Sequence, residues 1–234
     1  MTVYRGEGSY RLPSEITDEE LADAVAGFGK AAKRAVETAG FDGIEIHGAN
    51  GYLLDQFLTD YTNLRTDRWG GNTARRLELT LEVFKAVRAA VGVATPVGVR
   101  ISQGKVNDFH HKWANGEQDA EIIFGLLANA GADFIHITEF IASKPAFEGS
   151  DRSLVALARQ FAPEVKIITN GSIHTQADAV EIMEHGADIV ALGRSALANP
   201  DWPNRVRDGR ALRDFDPSIL QPVAHIKDEE LLLG

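Results

Sequence analysis

Three polar side chains able to act on a carbonyl group follow a short apolar run near the front of the chain. His47, Asn50 and Tyr52 come after residues 43–46, which we expect to be a β-strand because a turn with glycine and aspartate precedes them. His47 and Asn50 could both donate hydrogen bonds to one oxygen and stabilise an enolate, and the Tyr52 phenol could supply a proton. The spacing equally fits a hydrogen-bonded core histidine with a turn asparagine and a packing tyrosine.

Two glycine turns form a second candidate site. Asn170-Gly171 and Gly193-Arg194 each follow an apolar run. In α/β barrels, the loops after the last two strands often bind phosphate through backbone N–H groups, and glycine lets a ligand approach the backbone closely. Arg194 would add a fixed positive charge. The alternative is a pair of tight turns with a surface arginine.

Arg100 lies near the end of a predicted strand at 96–101. A buried strand seldom contains arginine without an anionic partner, so Arg100 could face the electron-rich edge of a cofactor or form an ion pair. His110 and His111 follow Asp108, but adjacent side chains point apart and no other ligands lie nearby in the sequence. We therefore expect no metal site.

The composition excludes several classes of protein. The 234 residues are 44% hydrophobic and 25% charged, which is ordinary for a globular protein. A net charge of −10 disfavours nucleic-acid binding, and the absence of cysteine excludes disulfides and thiolate sites. No run approaches the roughly 20 apolar residues of a membrane span. The N-terminus lacks the apolar segment of a signal peptide, so we expect a cytoplasmic enzyme.

A repeated pattern organises the chain. A glycine that ends a predicted helix, an aspartate and an apolar run recur at 39–46, 130–137 and 185–192. Further strands are predicted at 96–101 and 165–170, and helices at 17–38, 73–91, 117–130, 151–162 and 175–185. This alternation predicts an α/β fold of parallel βα units.

The strand count indicates an incomplete barrel. A closed TIM barrel has eight strands, and this chain offers about five. We see no linker, so residues 1–234 are predicted to form a single, partial TIM-barrel domain, with 203–234 as a C-terminal helical tail. Residues 56–71 are predicted to be a long, ordered loop.

The motifs together resemble a known family. Residues 47–58 read His-Gly-Ala-Asn-Gly-Tyr-Leu-Leu-Asp-Gln-Phe-Leu and residues 63–71 read Asn-Leu-Arg-Thr-Asp-Arg-Trp-Gly-Gly. With Val99-Arg100-Ile101, Thr169-Asn170-Gly171 and Leu192-Gly193-Arg194 in the same order, they resemble the Old Yellow Enzyme family of flavin ene-reductases and NADH:flavin oxidoreductases. At 72–76, where that family usually has Ser-x-Glu-Asn-Arg, only the final arginine agrees.

The resemblance implies an FMN-dependent oxidoreductase that uses NADH or NADPH to reduce the activated C=C bond of an α,β-unsaturated carbonyl compound. By position, His47 and Asn50 would bind the carbonyl oxygen and Tyr52 would be the proton donor. The positions matching FMN contacts are Arg100 beside the flavin, and Asn170, Gly171, Gly193 and Arg194 at the phosphate.

The chain also departs from the family, since it lacks the first three βα units. It is therefore expected to act with a second copy of itself or with a complementing chain. One alternative is a truncated relative without independent flavin binding, a phosphate-binding or interaction fragment that needs such a chain. Another is a non-catalytic interaction protein. The expected small-molecule partner is an enone or similar compound; neither nucleic acid nor membrane is expected.

Overall fold

One parallel sheet forms the centre of the computed structural model, which describes residues 14–228. Its five strands are β1 (Ile44–Asn50), β2 (Val97–Lys105), β3 (Phe134–Thr138), β4 (Lys166–Asn170) and β5 (Ile189–Val190). They pair in chain order, each parallel to the next. The predicted α/β fold with about five parallel strands is confirmed.

Helices connect the strands. They are α1 (Asp18–Lys33), α2 (Leu53–Leu58), α3 (Thr73–Val91), α4 (Glu117–Asn129), α5 (Leu154–Phe161), α6 (Gln176–Glu184), α7 (Arg194–Ala198) and α8 (Trp202–Arg207). A π-helical turn at Arg34–Thr38 continues α1, and a 3₁₀ turn at Pro217–Leu220 lies near the end of the described chain. Of the predicted tail 203–234, residues 229–234 lie outside the described residues.

Local capping explains where several helices begin. Thr17 forms a capping box with Glu20, as the sequence indicates, and the helical path reaches Thr38 with its last five residues in π geometry. The helix predicted from 151 begins at Leu154, because the Ser153 hydroxyl accepts a hydrogen bond from a backbone N–H of its first turn.

Five details differ from the expectation. The predicted loop at 56–71 begins inside α2, and α7 was not predicted. β5 has only two residues, fewer than its apolar run. β1 extends through Asn50, so this residue ends the strand and does not follow it. β2 extends to Lys105, which makes Arg100 a mid-strand residue.

The two faces of the sheet differ in polarity. Val97, Val99, Ile101, Ile135 and Ile167 are completely buried and contribute to the apolar core. Since side chains alternate along a strand, the residues between them lie on the opposite face. That second face carries the polar residues of the site described below.

An aspartate from the sequence repeat links the start of β2 to the start of β3. Asp133 Oδ2 accepts a hydrogen bond from Val97 N at 2.7 Å and pairs with Arg88 of α3. Burial acts to raise the pKa of Asp133, but the hydrogen bond from Val97 and the Arg88 guanidinium outweigh it and hold the pKa below its usual range. The carboxylate therefore joins a helix and two strands.

The same arrangement recurs at the other end of the sheet. Asp188 Oδ2 accepts from Ile167 N at 2.8 Å and pairs with Arg159 of α5. Asp42 occupies the same place in the first copy of the repeat. Its side chain is exposed, and within residues 14–228 it has no hydrogen-bond or ion-pair partner.

Candidate active site

His47, Asn50 and Tyr52 lie together at the carboxyl end of β1. The His47 and Tyr52 rings are 5.1 Å apart between centroids, tilted by 57°. Asn50 has a left-handed backbone (φ 63°), and its N–H donates to Ser102 Oγ at 2.8 Å. Loss of hydration and the nearby Arg100 guanidinium lower the pKa of His47. A neutral imidazole, able to donate one hydrogen bond, is therefore favoured beside Tyr52.

A buried ion pair holds the loop that follows β1. Lys105 Nζ lies 2.7 Å from Asp55 Oδ1, and Gly51 N donates to Asp55 Oδ2 at 2.6 Å. The side chains are 2% and 0% exposed. Burial raises the pKa of Asp55 and lowers that of Lys105, while each charge opposes the shift of the other. The turn between Asn50 and Tyr52 is thus attached to the end of β2.

Arg100 lies at the middle of the polar face. In the strand register it stands between His47 on β1 and His136 on β3. Its Nε donates to Thr138 Oγ1 at 2.6 Å, and that hydroxyl donates to Asn170 Oδ1 at 2.9 Å. Among the side chains of residues 14–228, the hydrogen-bond partner of Arg100 is thus the hydroxyl of Thr138. The sequence had also allowed an ion pair with a carboxylate.

The two glycine turns face one cleft of about 290 Å³. Gly171 and Gly193 line it together with Arg194, Asn170 and Asn50. Gly171 has φ 147°, and a Cβ there would lie 2.4 Å from the backbone oxygen of a neighbouring loop, so only glycine fits. The Arg194 side chain is exposed and has no hydrogen-bond or ion-pair partner in the described part of the chain. It is available to an anion in the cleft.

Most of the predicted site residues therefore come together. Asn50, Asn170, Gly171, Gly193 and Arg194 border the cleft. The other three do not line it. His47 and Tyr52 stand beside Asn50 at the rim. Arg100 reaches the cleft only through Thr138 and Asn170.

Sequence reasoning missed an aromatic pair at the mouth of the cleft. Phe109 and Phe140 follow β2 and β3, and their ring centroids are 5.9 Å apart. They are 60% and 62% exposed, and both line the cleft. Exposed rings at a cleft mouth can stack on a planar ligand. An aromatic residue in each of two loops after neighbouring strands was the available signal.

Within residues 14–228, no group of three or more histidine, cysteine, aspartate or glutamate side chains could hold a metal ion. Over the same residues, every helix is too short or too polar to span a membrane.

Comparison with known proteins adds independent evidence about the family of this chain. The family model described as "NADH:flavin oxidoreductase / NADH oxidase family" matches residues 3–213. The chain is 36% identical over 207 residues to the probable NADH-dependent flavin oxidoreductase YqiG of Bacillus subtilis, covering 86% of this chain and 54% of the relative. It is 36% identical over 215 residues to the putative 12-oxophytodienoate reductase 10 of Oryza sativa subsp. japonica, covering 88% and 65%.

Solved structures agree. Morphinone reductase in complex with tetrahydroNAD matches with a TM-score of 0.75 and 33% identity, over 88% of this chain and 54% of that one. The old yellow enzyme from Trypanosoma cruzi matches with a TM-score of 0.77 and 30% identity, over 90% and 55%. The chain thus spans little more than half the length of these solved relatives.

Proposed function

Because the chain belongs to the NADH:flavin oxidoreductase / NADH oxidase family, we propose that it contributes the catalytic and phosphate-binding part of an FMN-dependent oxidoreductase. The enzyme would use NADH or NADPH to reduce the activated C=C bond of an α,β-unsaturated carbonyl compound. One observation carries the proposal: the cleft formed by the two glycine turns adjoins the rim that holds His47, Asn50 and Tyr52. A flavin and a nicotinamide, implied by the resemblance, agree with the description of the family.

The residues of the cleft fit the phosphate end of FMN. Gly193 has open space where a Cβ would stand, and the Arg194 guanidinium has no competing acceptor among residues 14–228. Asn170 and Arg100 would serve the flavin end, joined through Thr138. When bound, FMN supplies the transfer of two electrons from the nicotinamide to the substrate.

The residues of the rim supply the polar part of the reaction. His47, neutral because of its lowered pKa, and Asn50 would each donate a hydrogen bond to the carbonyl oxygen of the substrate. This withdraws electrons from the conjugated C=C bond and stabilises the enolate. Tyr52, half exposed beside His47, would then give its phenolic proton to the α-carbon. The Phe109 and Phe140 rings would keep water from one side of a planar ligand.

A second candidate function is favoured by the sheet itself. The polar face of β1 is open: Glu45 and His47 are both exposed. On this alternative, the chain is a fragment that binds a phosphate-bearing ligand only after a complementary chain covers that face. The predicted homo-oligomer or complementing chain and the cytoplasmic location stay predictions.

The test is a titration of the purified protein with two flavins that differ only in the phosphate, FMN and riboflavin, followed by flavin fluorescence. We expect FMN to bind more tightly, and Arg194→Ala to remove about 1.5–3 kcal/mol of that preference, because a charge-assisted hydrogen bond is lost. Arg207→Ala, which removes an exposed arginine of α8, is the matched control and should change nothing.

Equal affinity for the two flavins would refute the phosphate assignment. Binding of FMN only after a chain that provides the remaining strands is added would favour the second candidate.

A further inference from the structure

A buried histidine that the proposed chemistry does not use lies directly beneath the cleft. His136 is 8% exposed. Its Nδ1 is 2.7 Å from Glu45 Oε2 of β1, and its Nε2 is 3.0 Å from Asn170 Oδ1 of β4. Thr138 Oγ1 bonds the same Asn170 oxygen at 2.9 Å. His136 thus connects the exposed edge of the sheet to a residue that lines the cleft.

The partners determine the direction of every hydrogen bond in this network. The structure turns Oδ1 of Asn170 towards both Thr138 and His136. Arg100 can only donate, so the Thr138 hydroxyl accepts from it and gives its own hydrogen to this oxygen. Because Oδ1 can only accept, His136 Nε2 must also donate to it. A carboxylate likewise only accepts, so Nδ1 donates to Glu45.

In this arrangement both ring nitrogens of His136 act as donors, one to a carboxylate and one to an amide oxygen. Glu45 is suited to this role. Burial acts to raise the pKa of Glu45, but the hydrogen bond and charge of His136, with Arg100 and His47, outweigh it and hold the pKa below its usual range. Glu45 therefore stays anionic and keeps the hydrogen on Nδ1.

The same constraints orient the amide of Asn170. With Oδ1 held by two donors below, Nδ2 must point the other way, and Asn170 lines the cleft. No side chain or backbone oxygen within residues 14–228 accepts a hydrogen bond from this Nδ2. It is a free donor with a fixed direction.

We propose that His136, held by Glu45, is a positioning residue that fixes the Asn170 amide so that Nδ2 donates to an oxygen of the ligand in the cleft. The ligand class is a flavin or another molecule with a carbonyl, hydroxyl or phosphate oxygen at that point. The choice of FMN as the probe rests on the proposed function, whereas the orientation of the amide does not.

Two substitutions of His136 separate its two hydrogen bonds. In His136→Gln the amide nitrogen lies near the place of Nε2, so the bond to Asn170 can remain while the bond to Glu45 is lost. In His136→Asn the amide lies near Nδ1, so the bond to Glu45 can remain while the bond to Asn170 is lost. The two variants are similar in polarity, and both remove the imidazole ring.

We expect His136→Gln to keep the affinity for FMN close to that of the parent, and His136→Asn to weaken it roughly three- to tenfold. Glu37→Gln, on the exposed π-helical turn, is the control for loss of a carboxylate and should have no effect. Equal affinities of the Gln and Asn variants would overturn the proposal.

A measurement without ligand gives an independent result. Long-range ¹H–¹⁵N NMR of the parent should show that Nε2 of His136 carries hydrogen, and Glu45→Gln should remove this hydrogen. An Nε2 without hydrogen in the parent would overturn the proposal. If the parent binds no FMN and yet shows hydrogen on Nε2, the proposed function fails while the positioning role is supported. If His136→Asn does not fold, Glu45→Gln takes its place in the titration and should weaken FMN binding; unchanged affinity would overturn the proposal.

Discussion

Removing the positive charge from the buried pair of Asp55 and Lys105 should strongly destabilise the fold. In Lys105→Met the carboxylate of Asp55 stays completely buried without its counter-charge. Breaking such a pair costs about 3–5 kcal/mol. Asp55 would keep the hydrogen bond from Gly51 N at 2.6 Å and a weaker one from Thr59 at 3.4 Å. We therefore expect the lower end of that range, about 3 kcal/mol.

Urea unfolding, followed by the fluorescence of the buried tryptophans, measures this loss. The double variant Asp55→Asn/Lys105→Met removes both charges and leaves an amide oxygen for Gly51 N. Its deficit should shrink to about 1 kcal/mol, since no unpaired charge remains buried. Lys112→Met is the matched control: Lys112 pairs with Glu139 at a partly exposed position and should change stability by less than about 0.5 kcal/mol.

The stability deficit of Lys105→Met should also change with pH in a definite direction. Burial already raises the pKa of Asp55, and the charge of Lys105 acts to lower it. Loss of Lys105 therefore raises this pKa further. A carboxyl group with a raised pKa in the folded state binds its proton more readily there than in the unfolded chain, so stability falls as the pH rises through this interval. The deficit of Lys105→Met should therefore narrow as the solution is acidified towards the ordinary carboxyl range. A deficit below about 1 kcal/mol, or one that does not change with pH, would refute this reasoning.

Three further predictions concern the backbone, the proposed proton donor and acid stability. Gly171→Ala should cost about 1–3 kcal/mol in urea unfolding, because the new Cβ meets a backbone oxygen; an unchanged midpoint would contradict this. Tyr52→Phe should slow the reoxidation of reduced enzyme by an enone in stopped-flow measurements and spare its reduction by the nicotinamide; loss of the reduction rate would contradict the assigned role. Asp133, whose pKa is lowered, contributes stability above the ordinary carboxyl range that disappears as the pH falls through its folded pKa. Asp133→Asn should reduce the loss of stability at acid pH, and an unchanged dependence of stability on pH would argue against this role of Asp133.

The parts of the fold that the sequence predicted are those with strong local signals. The glycine, the aspartate and the apolar run before β3 reveal where a helix ends and a strand begins. The missed helices α2 and α7 have six and five residues, too few to show a helical period. Asn50 resembles a loop residue because it is polar and adopts a positive φ, although it ends β1.

The candidate site divides in the same way. Most of its residue types were readable because they lie at or just after the end of a strand, and the carboxyl ends of parallel strands share one edge. Long-range partners were not readable. Asp55 meets Lys105 across 50 positions, and His136 meets Glu45 across 91. No local pattern encodes such a distance, and the direction of the Asn170 amide depends on two partners at once.

Asp133 and Asp188 each close a seam between neighbouring strands by accepting the N–H of the first or second residue of the earlier strand. Asp42 stands at the matching place before β1, exposed and without a partner within residues 14–228. The outer edge of β1 also presents backbone groups that pair with no strand among those residues. An incoming strand that runs parallel to β1 and arrives in the register of the other seams would bring its leading amide to Asp42. A strand of opposite direction, or one shifted along the edge, would leave this acceptor empty, so the edge itself discriminates between ways of docking.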